Sequence, residues 1–428
     1  MKITRLSLTH YRGVHSLSLD FQERLNVFFG VNGAGKSTII DAVAIMLSWA
    51  VSRIRYSGAS SGRPIQETDV TNGKSSSSVQ LDCIEGDQPI EWRLSKSRKG
   101  HGAPEDRSNL AELNEFTKGL QGQFSEKAEN LNLPLFVYYP VNRAVLDIPL
   151  RIREKHSFKP ITVYDDALTS GANFRTFFEW FREREDLENE NREYRQPTLF
   201  DNQHDTSFPD PQLEAVRRAL QLFLPEFENL RVRRNPLRME VEKNGKLLTV
   251  NQLSDGEKCL IAMVGDLTRR MAIANPERSD PLEGEGIILI DEIDLHLHPK
   301  WQRMIVPRLL EVFPKCQFII STHSPNVITH VQPDSLYLLQ QTDSGIVAER
   351  PAESYGKNVD RILEDLMGLE TTRPDRVSSS LHDIYDEINQ GQLVDARQKI
   401  AEMKAEIGED PELVKAEVLI KRKEIIGK

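Results

Sequence analysis

Apolar and polar residues alternate at the amino terminus: SLSLDF places apolar side chains at every second position and ITRLSLTHY alternates more loosely, the pattern of strands with one buried face. LNVFFG follows as a short apolar run ending at Gly30, the pattern of a strand buried on both faces. From Lys36 the period changes, and KSTIIDAVAIMLSWAVSRI keeps its apolar residues on one helical face. Residues 55–78 are rich in Ser and Gly, after which SVQLDCIEG and PIEWRLSKS predict a strand pair in a small accessory sheet. From about 102 to 235 the chain turns polar and helical, with FRTFFEWFREREDLENENREYR as its clearest helix and TLFDNQHDTSFPDPQ as a loop.

LRVRRNPLRMEVEKNGKLLTV predicts a hairpin turning at Asn244-Gly245, and a helix runs from LSDGEK through CLIAMVGDLTRRMAIA. GIILIDEI and CQFIISTHS are short apolar strands of the kind buried in a parallel sheet, and SLYLLQQ predicts one more. Residues 377–428 hold two or three amphipathic helices, LHDIYDEI, LVDARQKIAEMKAEI and ELVKAEVLIKRKEI, broken at Gly391 and at Gly408 with Pro411.

These elements predict an α/β head over 1–345, with a first lobe (1–101), a helical insertion (about 102–235) and a second lobe (236–345). A helical region, 346–428, follows. A length of 428 residues, 39% hydrophobic and 28% charged, suits one large domain and a smaller appendage.

The formal charge of −10 counts against indiscriminate coating of nucleic acid but leaves room for a local basic groove. Arg93, Lys96, Arg98 and Lys99, or Arg231, Arg233 and Arg234, either form such a groove or are solvated faces. Cys83, Cys259 and Cys316 lie far apart, without the C-x2-C spacing of zinc sites, and read as free thiols. No run is expected to reach the roughly 20 apolar residues that span a bilayer. MKITRLSLTHYRG shows no signal-peptide core, so a cytosolic protein without membrane contact is expected.

The chemistry is concentrated in four short stretches. Gly30–Thr38, GVNGAGKST, matches the phosphate loop G-x-x-x-x-G-K-[ST] in the required context, after an apolar strand and before a helix. Backbone N–H groups from Asn32 through Ala34, Gly35 and Thr38 would face phosphates, with Gly33 giving the loop its freedom. Lys36 would reach the β and γ phosphates of ATP, and Ser37 would offer a hydroxyl to Mg2+. Asp291 and Glu292 end the strand GIILI, where ligands sit in open α/β sheets: Asp291 would hold magnesium and Glu292 would polarise water. LSDGEK places Ser254, Asp255, Gly256 and Glu257 at a helix start, as an anion site, a capping box, or both. His323 follows the apolar run FIIST.

The set GVNGAGKST, LSDGEK, DEIDLHLHP and STHSP resembles the RecF, SMC and OLD branch of ABC ATPases over roughly residues 1–340. The resemblance implies a mainly parallel sheet flanked by helices, an accessory antiparallel sheet, and ATP sandwiched between two heads of a homodimer. Ser254 and Gly256 would then contact ATP held by the second copy, and His323 would sense the γ-phosphate. His298 would lie in the D-loop, where the two heads meet, instead of forming a metal pair with His296. Arg12 falls where related heads touch the nucleotide, and Asp69 is the candidate for the Q-loop position near the metal.

The step of 218 positions from Lys36 to Ser254 leaves no room for a long coiled-coil arm, and no TOPRIM pattern follows Pro325. The chain resembles the stand-alone PtuA-type ATPases of Septu and retron-linked anti-phage systems. That likeness implies a separate HNH nuclease partner, PtuB in those systems, docked on residues 355–368 and the tail unless these pack on their own head. A RecF-like DNA-binding ATPase and an ATP-gated scaffold with little hydrolysis are the alternatives.

Overall fold

The computed structural model describes residues 1–56, 61–102, 106–127, 131–141, 159–169, 174–194, 209–343 and 345–426. They form two compact units, Met1–Lys357 and Asn358–Lys428.

In the first unit, β1 (Lys2–Tyr11), β2 (Val14–Asp20), β4 (Ser76–Glu85) and β5 (Gln88–Ser97) make an antiparallel sheet of order β2-β1-β4-β5. The second sheet carries the chemistry. It contains β3 (Leu25–Phe29), β6 (Leu135–Tyr139), β10 (Gly286–Ile290), β11 (Cys316–Ser321), β12 (Leu336–Thr342) and β13 (Gly345–Glu349), in the order β13-β12-β3-β11-β10-β6. All neighbours in it are parallel except β12 and β13. A third, antiparallel sheet joins β7 (Phe227–Arg234), β8 (Leu237–Lys243) and β9 (Lys246–Thr249), with β8 and β9 turning at Asn244-Gly245 as expected.

The mixed, mainly parallel architecture is the one predicted. Every residue of β3, β6, β10 and β11 is buried, which is why three of them read as short, mainly apolar runs. The fourth, β6, has the pattern too but lies inside the stretch expected to be a helical insertion, and it pairs with β10 from Leu135↔Gly286 to Tyr139↔Ile290. Helices Phe174–Tyr194 and Pro211–Phe223 fill other parts of that stretch. Residues 198–208 of the expected loop lie outside the described residues. Strand β13 and residues up to Lys357, expected with the tail beyond 345, sit in the first unit.

Helix Lys36–Arg55 corrects another expectation, because by length and hydropathy it could cross a membrane. Instead, 72% of that window is buried inside the protein, where Ile39, Ile40, Val43, Met46 and Leu47 pack in the core.

The second unit contains helices Asp375–Gln390, Leu393–Ile407 and Pro411–Ile426, ended or begun by Gly391, Gly408 and Pro411. Leu381, Ile384, Ile388, Ile400, Leu413 and Ile420 form their shared core.

Candidate nucleotide site

Four parallel strands deliver the sequence motifs to one end of the sheet. β3 runs into the phosphate loop, β10 into Asp291 and Glu292, β11 into Thr322 and His323, and β6 into Pro140. β11 lies between β3 and β10, so its end can reach both.

Gly35 caps helix Lys36–Arg55 in the left-handed conformation, φ 99°, and a Cβ there would stand 2.3 Å from Ile346 Cδ1. Only glycine meets both demands without strain. The helix then opens with its free N–H groups at the loop, the backbone arrangement that suits an anion. Lys36 is buried, and its Nζ donates to Gly30 O at 2.9 Å and Val31 O at 3.0 Å. Burial lowers the Lys36 pKa, against the opposing pull of Glu292, Asp291 and Asp294. Asn32, Gly33 and Ser37 are exposed at the loop and helix start, and Ala34 is buried with its N–H on Val31 O at 3.2 Å.

Asp291 is buried at the end of β10, and its N–H donates to Tyr139 O at 2.9 Å. Ser321 Oγ donates to Asp291 Oδ1 and accepts from the Glu292 N–H at 2.8 Å. This hydroxyl holds Glu292 in a left-handed conformation, φ 48°, that L-residues adopt at a cost of order 1–3 kcal/mol. Glu292 Oε1 lies 3.9 Å from His323 Nε2, each side chain being about 30% exposed. Burial and the nearby Lys36 ammonium lower the His323 pKa more than Glu292, Asp294 and Asp291 raise it. That direction favours the neutral ring, which offers one N–H and one acceptor nitrogen.

A hydroxyl at Ser37 and a carboxylate at Asp291 are the sparse, hard-oxygen donor set that Mg2+ takes when phosphates complete its shell. Among the described residues no group of three or more His, Cys, Asp or Glu is placed to hold a metal ion by itself. Asp69 is differently engaged. Its Oδ1 accepts from Arg12 Nε at 2.8 Å and its Oδ2 from the Gln66 N–H at 2.8 Å. Arg12, at φ 50°, also donates to Asp41 Oδ2 at 2.5 Å, and Arg63 holds Asp41 Oδ1 at 2.8 Å. These pairs brace β1 and the segment 63–69 against the phosphate-loop helix.

Ser254 caps helix Asp255–Ala274 through a complete capping box with Glu257. Ser254 N and Oγ both donate to Glu257 Oε2 at 2.8 Å, and Lys243 pairs with Oε1. Burial disfavours the Glu257 charge, but Lys243 and the Ser254 hydrogen bonds outweigh it and lower the pKa. Ser254 and Asp255 are exposed, whereas Gly256 is buried so closely that a Cβ would meet His296 O at 2.3 Å. His298 is exposed and caps the next helix, Pro299–Val312, by accepting from the Lys300 N–H at 3.3 Å. The signature turn and the D-loop therefore meet in one surface of one chain.

Sequence reading missed Ser321, Asp41 and Tyr139. Ser321 stands inside STHSP and could have been singled out as a hydroxyl at the carboxyl end of a buried strand. The other two are signalled by nothing in the local pattern. The proposed basic grooves are largely engaged internally: Arg231 and Arg233 share Glu240, Arg234 pairs with Glu185 and Asp186, and Arg93 with Asp106. Cys83 and Cys316 are buried free thiols, and the Cys259 side chain is partly buried.

A mainly parallel sheet that brings the phosphate loop, the Asp291–Glu292 pair and His323 to one end, beside a helix capped at Ser254, is the architecture of an ATPase of the ABC and SMC-like class. Residues 25–329 match the family model described as "AAA domain, putative AbiEii toxin, Type IV TA system". The chain is 31% identical to the "Retron Ec83 probable ATPase" of Escherichia coli, over 88% of this chain and 78% of that one. It is 31% identical to the "Retron Vc95 probable ATPase" of Vibrio cholerae, over 85% and 78%, and 26% identical to the "Septu protein PtuA" of Bacillus thuringiensis, over 93% of both. Among solved structures, the "SMC head domain from Thermotoga maritima" aligns with 82% of this chain and 100% of that one, at TM-score 0.43 and 16% identity. The chain belongs to the AAA-domain family of that model, and it is similar over most of its length to the retron and Septu ATPases.

Proposed function

We propose that the chain binds and hydrolyses ATP between two copies of itself, and that this cycle controls a separate nuclease in anti-phage defence. The observation that carries the first part is the convergence of Lys36, Asp291, Glu292 and His323, with Glu292 and His323 3.9 Å apart across the end of the sheet. The loop amides and Lys36 bind the β and γ phosphates. Ser37 and Asp291 would hold Mg2+, which would supply charge neutralisation at the phosphates. Glu292 accepts hydrogen bonding from the attacking water, and neutral His323 donates its N–H to the γ-phosphate. Ser254 and Gly256, with the helix N-terminus behind them, complete the site of the second copy, and His298 lies beside them in the D-loop. Arg12 approaches the nucleotide from β1, with Asp69 as its brace.

Substitution Glu292→Gln tests this. Hydrolysis should fall by roughly 10²–10⁴, the range of a general base, while light scattering shows an ATP-dependent dimer. An unchanged rate of phosphate release would refute the assignment.

The regulatory part rests on the likeness to Septu PtuA and the retron ATPases. An HNH nuclease is the expected partner. Co-purification with a nuclease from the same operon, and phage protection by that operon, are the tests; absence of both would sink this half. The RecF-like reading draws less support, because its arginines are already paired with carboxylates.

A further inference from the structure

The switch histidine is gripped from both sides by two side chains that belong to another segment. Upstream of it, Thr322 Oγ1 donates to Asp294 Oδ1 at 2.5 Å, and the His323 N–H donates to the same oxygen at 3.3 Å. Downstream, Gln302 Oε1 accepts from Ser324 Oγ at 2.8 Å and Asn326 Nδ2 at 3.2 Å. Gln302 Nε2 meanwhile donates to Leu297 O at 3.0 Å, just before His298. Ser324 N donates to Thr322 Oγ1 at 3.0 Å, closing the turn around the histidine.

Asp294 and Gln302 flank the D-loop, one before it and one in the first turns of the helix that follows, Pro299–Val312. Each spans a sequence gap of more than 20 residues to reach the switch segment. Their bonds fix the backbone and neighbours of His323 without touching its ring. An exposed D-loop and a half-exposed histidine are thereby linked through groups that are themselves well packed: Thr322 is fully buried and Ser324 is 5% exposed.

We infer that Asp294 and Gln302 are positioning residues that lock the His323 segment to the D-loop, so that a displacement of the D-loop moves the histidine relative to Glu292. The inference rests on the proposed role of His323 in hydrolysis. It adds a route by which docking of a second copy against His298 switches the hydrolytic geometry on, through displacement instead of through new contacts with the nucleotide. Misplacement of a reacting group by about 1 Å costs up to ~10²-fold in rate, so a link of this kind is sufficient to gate turnover.

The test is a double-mutant cycle on ATP hydrolysis, using His323→Ala, Asp294→Ala, Gln302→Ala and the pairs with His323→Ala. Each chain is checked by thermal melting and by binding of a fluorescent ATP analogue. Asp294→Ala should lower kcat about tenfold or more with KM within about twofold of wild type, and should add less than about twofold in the His323→Ala background. Asp294→Asn keeps the oxygen that accepts from Thr322 and His323, so it should restore most of the rate. Full additivity of Asp294→Ala or Gln302→Ala with His323→Ala, or a normal kcat in either single variant, would overturn the inference while leaving the role of His323 intact. A normal rate for His323→Ala would overturn both. Should the alanine variants melt early, the comparison of Asp294→Asn with Asp294→Leu at a temperature where both are folded decides between the same outcomes.

Discussion

Replacing Asp266 by Ala removes the one carboxylate from a charge cluster inside the signature helix. Asp266 is fully buried and accepts from Arg269 at 2.7 Å, Arg270 Nε at 2.8 Å and Tyr139 Oη at 3.0 Å. Both arginines are themselves 3% exposed or less. Arg270 keeps bonds to Val163 O and Asp165 O, but Arg269 loses its carboxylate partner. Leaving buried charge uncompensated costs about 3–5 kcal/mol. With an unfolding slope of about 3 kcal/mol/M in urea, the midpoint should drop by about 1 M or more. Urea titration followed by tryptophan fluorescence reads this, and Asp266→Asn, which keeps an acceptor but not the charge, should fall between wild type and Asp266→Ala. The effect should extend to the nucleotide site, because Tyr139 bonds Asp266 through its hydroxyl and the Asp291 N–H through its carbonyl. An Asp266→Ala chain with unchanged midpoint and slope would refute this account of the cluster.

Acid should destabilise the same region: Arg270 and Arg269 outweigh burial to lower the Asp266 pKa below its ordinary 3.8, and Lys243 and Ser254 do so for Glu257 below 4.5. Groups with depressed folded values contribute stability above their unfolded values and lose it as pH falls through the folded ones. Urea midpoints should therefore lose this contribution only below about pH 4.5; a contribution that grows on acidification would contradict it. Gly256→Ala should push the signature turn off the D-loop, since the new methyl would meet His296 O at 2.3 Å. We expect overpacking of about 1–3 kcal/mol, with ATP-dependent dimerisation lost and binding of a fluorescent ATP analogue to the monomer retained; normal dimerisation by light scattering would count against that placement.

Much of the head was legible because strands buried on both faces leave an unmistakable trace, as in LNVFFG and GIILIDEI, and because the phosphate loop demands its glycines and lysine at fixed spacing. Strand β6 escaped because a five-residue apolar run, LFVYY, carries no period of its own and stands between polar stretches. Helix Lys36–Arg55 is apolar around most of its surface because it is packed deep in the head, which local pattern alone does not distinguish from a membrane span. In the site, chemistry-bearing residues were legible and their supports were not. Ser321 beneath Glu292, and Asp294 and Gln302 around His323, make their contacts between segments distant in sequence, and the left-handed Glu292 backbone is bonded through its N–H to one of them, Ser321.

The central claim, a site shared between two copies, is tested most directly by mixing two inactive chains. Lys36→Ala removes the phosphate-loop lysine, and Ser254→Arg obstructs the exposed signature turn. Each variant alone should be without ATPase activity. A mixed pair, however, contains one wholly intact site, the phosphate loop of the Ser254→Arg chain facing the signature of the Lys36→Ala chain. Equimolar mixing should therefore restore up to about a quarter of wild-type turnover, half the pairs being mixed and each having one working site of two. A mixture no more active than either variant alone would contradict the shared site.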